Sequence, residues 1–152
     1  MSVAERLIEL GISLPKPAAP VASYLPVVIA GGFAHVSGQL PFIDGELVTG
    51  RLGADVGIER GQQAARACGM MILAQINAEL GSLDAVERIV KLSVFVCSDD
   101  HFREQPQVAN GASDLMAEVF GDIGRHARSA VGVPELPLGA AVEVDAVVAI
   151  KG

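Results

Sequence analysis

The sequence predicts a two-layer α+β domain in which two helices cover one face of a mixed β-sheet. Three observations carry this expectation. Apolar residues alternate with polar ones in several short runs, they recur at helical spacing in two longer ones, and the order is strand-rich, helix, strand, helix, strand, strand. At 152 residues the chain fits one domain with a sizeable core.

Ser2–Leu10 reads as a short amphipathic helix stopped by Gly11, and Pro15, Pro17 and Pro20 make the following stretch an extended linker. Val27–Ala30 and Phe33–Ser37 are β-prone runs flanking Gly31-Gly32, a hairpin signal because glycine tolerates the positive φ of a tight turn. Asp44-Gly45 offers a second turn between Pro41–Ile43 and Glu46–Val48. From Asp55 to Leu80 the period becomes helical, with Ile58, Ala65, Cys68, Ile72, Ile76 and Leu80 on one stripe. Asp55 is the expected cap and Gly81 the expected stop. Val90, Leu92, Val94 and Val96 then alternate with Lys91, Ser93 and Phe95, as in a strand with one apolar face. Val108, Ala112, Leu115 and Val119 mark a second long helix ending near Gly121, and Ala127–Val133 and Ala141–Ile150 read as two more strands.

Composition narrows the partners. The net charge is −7 and no Lys/Arg cluster occurs, which opposes a phosphate-backbone interface. Aromatics are only 4% and Trp is absent, so Ala, Val, Leu and Ile must build the core. A mean hydropathy of +0.44 is high for a monomer of this size, which points to burial against further copies of the chain. Cys68 and Cys97 lack metal or redox spacing and read as buried, reduced thiols of a cytoplasmic protein. No apolar run approaches the ~18 residues of a membrane span, and residues 1–10 lack the apolar core of a signal peptide.

Chemistry concentrates in Gly124–Val133. Arg128 stands in a strand otherwise made of small and apolar residues, and a guanidinium is always charged and costly to bury unless an anion meets it. Its planar fork matches a carboxylate. In the last strand, alternation puts Glu143 and Asp145 on one face and Val142, Val144, Ala146 and Val148 on the other. If the two strands are neighbours, the arginine and both acids converge on one sheet face. The same residues also fit an ordinary salt bridge on a solvated face.

From about Tyr24 to Ile150 the sequence resembles the RidA/YjgF-like family of reactive-intermediate deaminases. Four pieces carry the resemblance: Val36-Ser37-Gly38-Gln39-Leu40-Pro41, Ala127-Arg128-Ser129-Ala130-Val131, Leu136-Pro137 and Val142-Glu143-Val144-Asp145-Ala146. The resemblance implies a chorismate-mutase-like sheet with two helices on one side, assembled as a homotrimer with ligand sites between subunits. It divides the chain into an N-terminal helix and Pro-rich linker, residues 1–20, and a RidA-like domain, residues 21–152. It also implies hydrolytic deamination of small 2-imino or enamino acids to 2-keto acids and ammonia, with no cofactor and no metal. By that likeness Arg128 holds the carboxylate of an imino or keto acid and Glu143 places the water. Tyr24, Ser37, Gly38 and Asn110 match wall positions. The sequence departs from the family pattern at three places: Ala130 replaces a polar residue, His126 a proline, and Ala22-Ser23 the usual Gly-Pro before the tyrosine. These departures mark a divergent subgroup. Two other readings stand beside deamination: non-catalytic binding or sensing of small carboxylates, and the endoribonuclease activity often attached to the family.

His126 lies two residues from Arg128, where it either adds a titratable group to the pocket or bonds backbone at a strand end. His35 and His101 have no partner at metal-ligand spacing. Gly50, Gly53 and Gly57 do not form a phosphate-binding loop, which needs Gly-Lys-Ser/Thr, and read as a mobile loop. Ser129 should face the side of the strand opposite Arg128, away from any base.

Overall fold

A computed structural model describes residues 1–20 and 22–152. The boundary expected at residue 21 lies outside the described residues. Helix α1 spans Val3–Glu9 and opens with a reciprocal cap: Glu5 N–H donates to Ser2 Oγ at 3.1 Å, and Ser2 N–H donates to Glu5 Oε2 at 2.8 Å. Its one buried side chain, Leu7, enters the main core.

Strands β1 (Val27–Ala30) and β2 (Phe33–Gln39) form the hairpin expected at Gly31-Gly32, both of which have positive φ. A small ribbon follows, β3 (Phe42–Ile43) and β4 (Glu46–Leu47), turned by Asp44-Gly45. Helix α2 spans Ile58–Leu80 and ends on Gly81 at φ +80°. Its N-cap is Gly57, not Asp55. Asp55 Oδ1 instead accepts from the Arg51 N–H at 2.7 Å and closes the preceding loop on itself.

Strand β5 (Val86–Cys97), helix α3 (Gln105–Phe120) and strand β6 (Ala127–Val133) form a parallel crossover, and β7 (Val142–Ile150) runs back antiparallel to β5. The five-stranded sheet has the order β1-β2-β7-β5-β6 and is mixed. Helices α2 and α3 pack side by side on one face. Between them lies the core, built from residues such as Ile72, Leu73, Leu92, Val94, Leu115, Val144 and Val148. Each such side chain contributes roughly 1.5–3 kcal/mol on burial.

Register corrects one expectation within β5. Ile89 pairs with Val148 and Lys91 with Val147, so Val90 is the extra residue of a bulge, and Ile89 rather than Val90 joins the buried row with Leu92, Val94 and Val96. A second bulge falls in β2 between Val36, opposite Ala146, and Gln39, opposite Val144. Its extra residue lies in Ser37-Gly38, which matters for the site. Cys68 and Cys97 are buried free thiols, and burial pushes the Cys68 thiol well above its ordinary value, with the nearby Glu143 charge adding to the effect.

Candidate functional site

Two clusters of sequence-predicted residues form, and they do not meet within one chain. Arg128 pairs with Leu92 across β5, and Leu92 pairs with Ala146 across β7. Paired residues of a sheet point to the same side, and Leu92 and Ala146 are buried under the helices. Arg128 therefore projects on the helix side. Glu143 pairs with Phe95 and belongs, with Asp145, to the opposite face. Strand β5 also separates the two strands, by two spacings or about 10 Å. The convergence of Arg128 with Glu143 and Asp145 on one face of a single chain is thus corrected.

The basic cluster sits at the β6 edge against α3. Arg128 Nη1 donates to Asn110 Oδ1 at 2.8 Å and to Ser113 Oγ at 3.1 Å, and Nη2 makes a long contact of 3.4 Å to the Pro106 carbonyl. Asn110 and Ser113 are one helical turn apart, so both face the strand. No carboxylate pairs with Arg128 among the described residues. The Nε–H and one Nη2–H likewise find no acceptor among them. That edge of the fork has the geometry that receives a carboxylate side-on.

His126 stands beside this cluster and bonds backbone at the strand start, one of its two sequence readings. Its Nδ1 lies 2.7 Å from the Gly124 carbonyl, a backbone bond at the strand start, and its Nε2 lies 2.8 Å from Ser113 Oγ. Ser113 is the residue sequence reasoning missed. Its signal was its place three residues after Asn110, on the same helix face. Ala130 follows Arg128 on the helix side, partly buried against the core, and brings no polar atom. Ser129 pairs with Ser93 and faces the other way, as expected from alternation.

Of the two acids, Glu143 lines a cavity of about 510 Å³ together with Tyr24, Ser37, Gly38 and Pro137. Tyr24 is 42% exposed on its rim. Ser37 Oγ donates to the Leu25 carbonyl at 2.7 Å, which ties the segment carrying Tyr24 to β2. Burial, with the charge of Asp145 second, pushes the Glu143 carboxyl above the ordinary glutamate value of 4.5. Asp145 is also pushed up by burial, while a Ser93 hydrogen bond and the Lys91 charge pull it back.

Gly38 makes room for the acid. A Cβ on Gly38 would lie 2.8 Å from Glu143 Cδ and 3.0 Å from Oε2. Gly38→Ala is therefore expected to turn the Glu143 side chain away from its position in the cavity, because the bulged strand is held on both sides by β1 and β7. A crystal structure of the variant checks this, and a Glu143 carboxylate left in place would show that the strand yields instead.

A larger cavity, about 760 Å³, lies between the linker, the β3–β4 ribbon and α2, and contains none of the sequence-predicted residues. It is mainly lined by side chains such as Phe42, Met70 and Met71, and one of its cations, Arg66, is already paired with Glu118 at 3.1 Å. The smaller cavity holds the better-placed chemistry. No group of three or more His, Cys, Asp or Glu able to hold a metal occurs among the described residues, and no helix among them is long and apolar enough to cross a membrane.

Comparison with known proteins identifies the family. Residues 4–149 match the family described as YjgF/chorismate mutase-like and, provisionally, endoribonuclease. Protein TCP17 of Trypanosoma cruzi is 56% identical over 151 residues, covering 98% of this chain and 94% of its own. A crystal structure of a protein of unknown function from Agrobacterium tumefaciens matches with a TM-score of 0.91 at 48% identity, over 98% of this chain and 92% of that one. RidA from an Antarctic Psychrobacter species is more distant, with a TM-score of 0.62 at 28% identity over 89% of this chain and 94% of its own. From motif, fold and matched length together, the chain belongs to the RidA/YjgF family.

Proposed function

We propose that the protein hydrolyses small 2-imino or enamino acids to 2-keto acids and ammonia, at sites shared between neighbouring copies of a homotrimer. The observation that carries the reading is Arg128: a partly buried cation without a carboxylate partner among the described residues, its Nε–Nη2 edge open. A small carboxylate fills that edge. The acid that would act on such a ligand, Glu143, lies on the other sheet face of the same chain, so a second copy has to supply it. The apolar residues left exposed, among them Val28, Ile29, Phe33 and Val131, favour such an assembly.

The reaction needs water as its only co-reactant. The water oxygen adds to the imine carbon while Glu143 takes one water proton and passes it to the imine nitrogen, which becomes the amine of a carbinolamine. Glu143 then takes the hydroxyl proton and passes it to that nitrogen as the C–N bond breaks, so ammonia leaves and the C–O bond becomes the ketone. A carboxyl raised toward working pH can serve both steps. Positioning supplies the rest, since the imine carbon is intrinsically reactive.

Glu143→Gln is expected to lower kcat by about 100-fold or more, the usual size of a general acid–base contribution. Asp145→Asn should cost less than about tenfold, because Asp145 only tunes its neighbour. The sign of its pH effect follows from like charge. Removing the Asp145 charge lowers the Glu143 pKa, so the acid limb of the pH–rate profile moves to lower pH. Steady-state assays with freshly generated imine, corrected for spontaneous hydrolysis, read both results. Equal losses in the two variants would remove the division of roles.

Ala130 favours a second reading, binding without turnover, since it offers no proton donor two positions from Arg128. The same imine assay separates the two. RNA cleavage is opposed by the net charge of −7 and by a His126 already bonded at both ring nitrogens.

A further inference from the structure

Resting on the reading of Arg128 as the carboxylate holder, we propose that Ser113 and His126 are positioning residues that lock the Arg128 guanidinium through a one-way hydrogen-bond chain. With a neutral imidazole at His126, the direction of every link is forced by the groups at its two ends. A backbone carbonyl can only accept, so the 2.7 Å contact to Gly124 requires the hydrogen on His126 Nδ1. A neutral imidazole carries one N–H, which leaves Nε2 bare and accepting. Ser113 Oγ, 2.8 Å away, must then donate its only hydrogen to Nε2. Its lone pairs are left for Arg128 Nη1 at 3.1 Å, a group that can only donate.

The consequence is a fixed fork. The second Nη1 hydrogen goes to Asn110 Oδ1 at 2.8 Å, so both hydrogens of that nitrogen have assigned acceptors. Rotation about the guanidinium bonds would break one of them. The Nε–Nη2 edge is thereby held in one orientation, with the Nε–H and one Nη2–H free of acceptors among the described residues, preorganised for a planar carboxylate. Without His126 the Ser113 hydroxyl is free to rotate and to offer its hydrogen, rather than a lone pair, toward the cation. The opposite tautomer, with hydrogen on Nε2, would set the Nδ1 lone pair against the carbonyl lone pairs at 2.7 Å and is disfavoured.

Three substitutions, one double variant and two spectroscopic signatures test the chain. Calorimetric titration with pyruvate is expected to show Ser113→Ala and His126→Phe each weakening affinity roughly five- to tenfold, the usual net size of one lost hydrogen bond. Ser113→Thr keeps the hydroxyl and should stay within about twofold of the parent. The Ser113→Ala/His126→Phe double variant should be no weaker than the weaker single variant, because both break one chain. Nitrogen NMR at pH 8, where an ordinary imidazole is neutral, should find His126 as the Nδ1–H tautomer. It should also find slow Arg128 Nη rotation in the parent and fast rotation in Ser113→Ala. An Nε2–H tautomer, losses that multiply in the double variant, or unchanged affinity in Ser113→Ala would each overturn the proposal. If the parent itself does not bind pyruvate, the carboxylate reading fails, and the tautomer and rotation measurements decide the chain on their own.

Discussion

Replacing Arg128 by alanine is expected to abolish measurable binding of small 2-keto acids while the subunit fold and its assembly persist. A carboxylate in a partly dry pocket needs a fixed cation, and losing one member of such a pair typically costs about 2–5 kcal/mol. For a ligand as small as pyruvate that removes most of the affinity, since few other atoms contribute. The fold should survive because Asn110 is exposed and Ser113 only partly buried, so water can replace what the guanidinium gave them. Arg128→Lys keeps the charge but loses the fork, and should bind weakly rather than normally. Titration with pyruvate or 2-oxobutanoate, run beside sedimentation of the same variants, reads both halves. Unchanged affinity would take Arg128 out of the site, and a collapsed assembly would make it a structural arginine.

The largest expected loss of stability is at Gly111. A Cβ there would collide with the backbone oxygen of Gln62, where α3 packs against α2. Gly61 and Gly69 make the same crossing thin from the other side, packing under Val108 and Leu115. Alanine in place of glycine in a helix ordinarily gains about 1 kcal/mol. Here the obstacle is another helix's backbone, which has no rotamer to change, so the helices must separate. Overpacking of this kind costs about 1–3 kcal/mol or more and outweighs the propensity gain. Gly111→Ala is expected to lower Tm by several degrees, at roughly 2–4 °C per kcal/mol for a chain of this size. Gly57→Ser, at an uncapped helix start with open space around it, should leave Tm unchanged or slightly raised. Gly111 lies between Asn110 and Ser113, so the same displacement should also loosen the hold on Arg128. Thermal unfolding decides the first point, and a Tm equal to the parent's would show that the crossing has slack.

Much of this architecture is legible in the residues, and what is not has specific reasons. Gly31-Gly32, Asp44-Gly45 and Gly81 mark turns and a helix end because each backbone position there adopts positive φ. Periodicity likewise assigns the two long helices and the alternating face of β7. Alternation, however, sorts side chains only within one strand. It says nothing of which strand lies between two others, so β5 between β6 and β7 was invisible, and with it the separation of Arg128 from Glu143. Strand β6 compounds the difficulty, because its valine face is the open one: Val131 is 45% exposed while Arg128 points toward the helices. A pattern read as apolar-inward would have reversed it. The Val90 bulge is silent for a related reason, since two adjacent β-branched residues fit the pattern in either register. Ser113 carried no motif and became meaningful only through its distances.

The central claim is that each site draws Arg128 from one copy and Glu143 from another. Arg128→Ala and Glu143→Gln proteins, each inactive alone, should regain imine hydrolysis when unfolded together and reassembled. Random mixing in equal amounts restores about one quarter of the sites in a cyclic oligomer, because each site needs an intact arginine and an intact glutamate from different subunits. Recovery near one quarter of parental activity is the result expected. No recovery from mixed assemblies, with co-assembly verified by mass, would contradict the account and take one of the two residues out of the site.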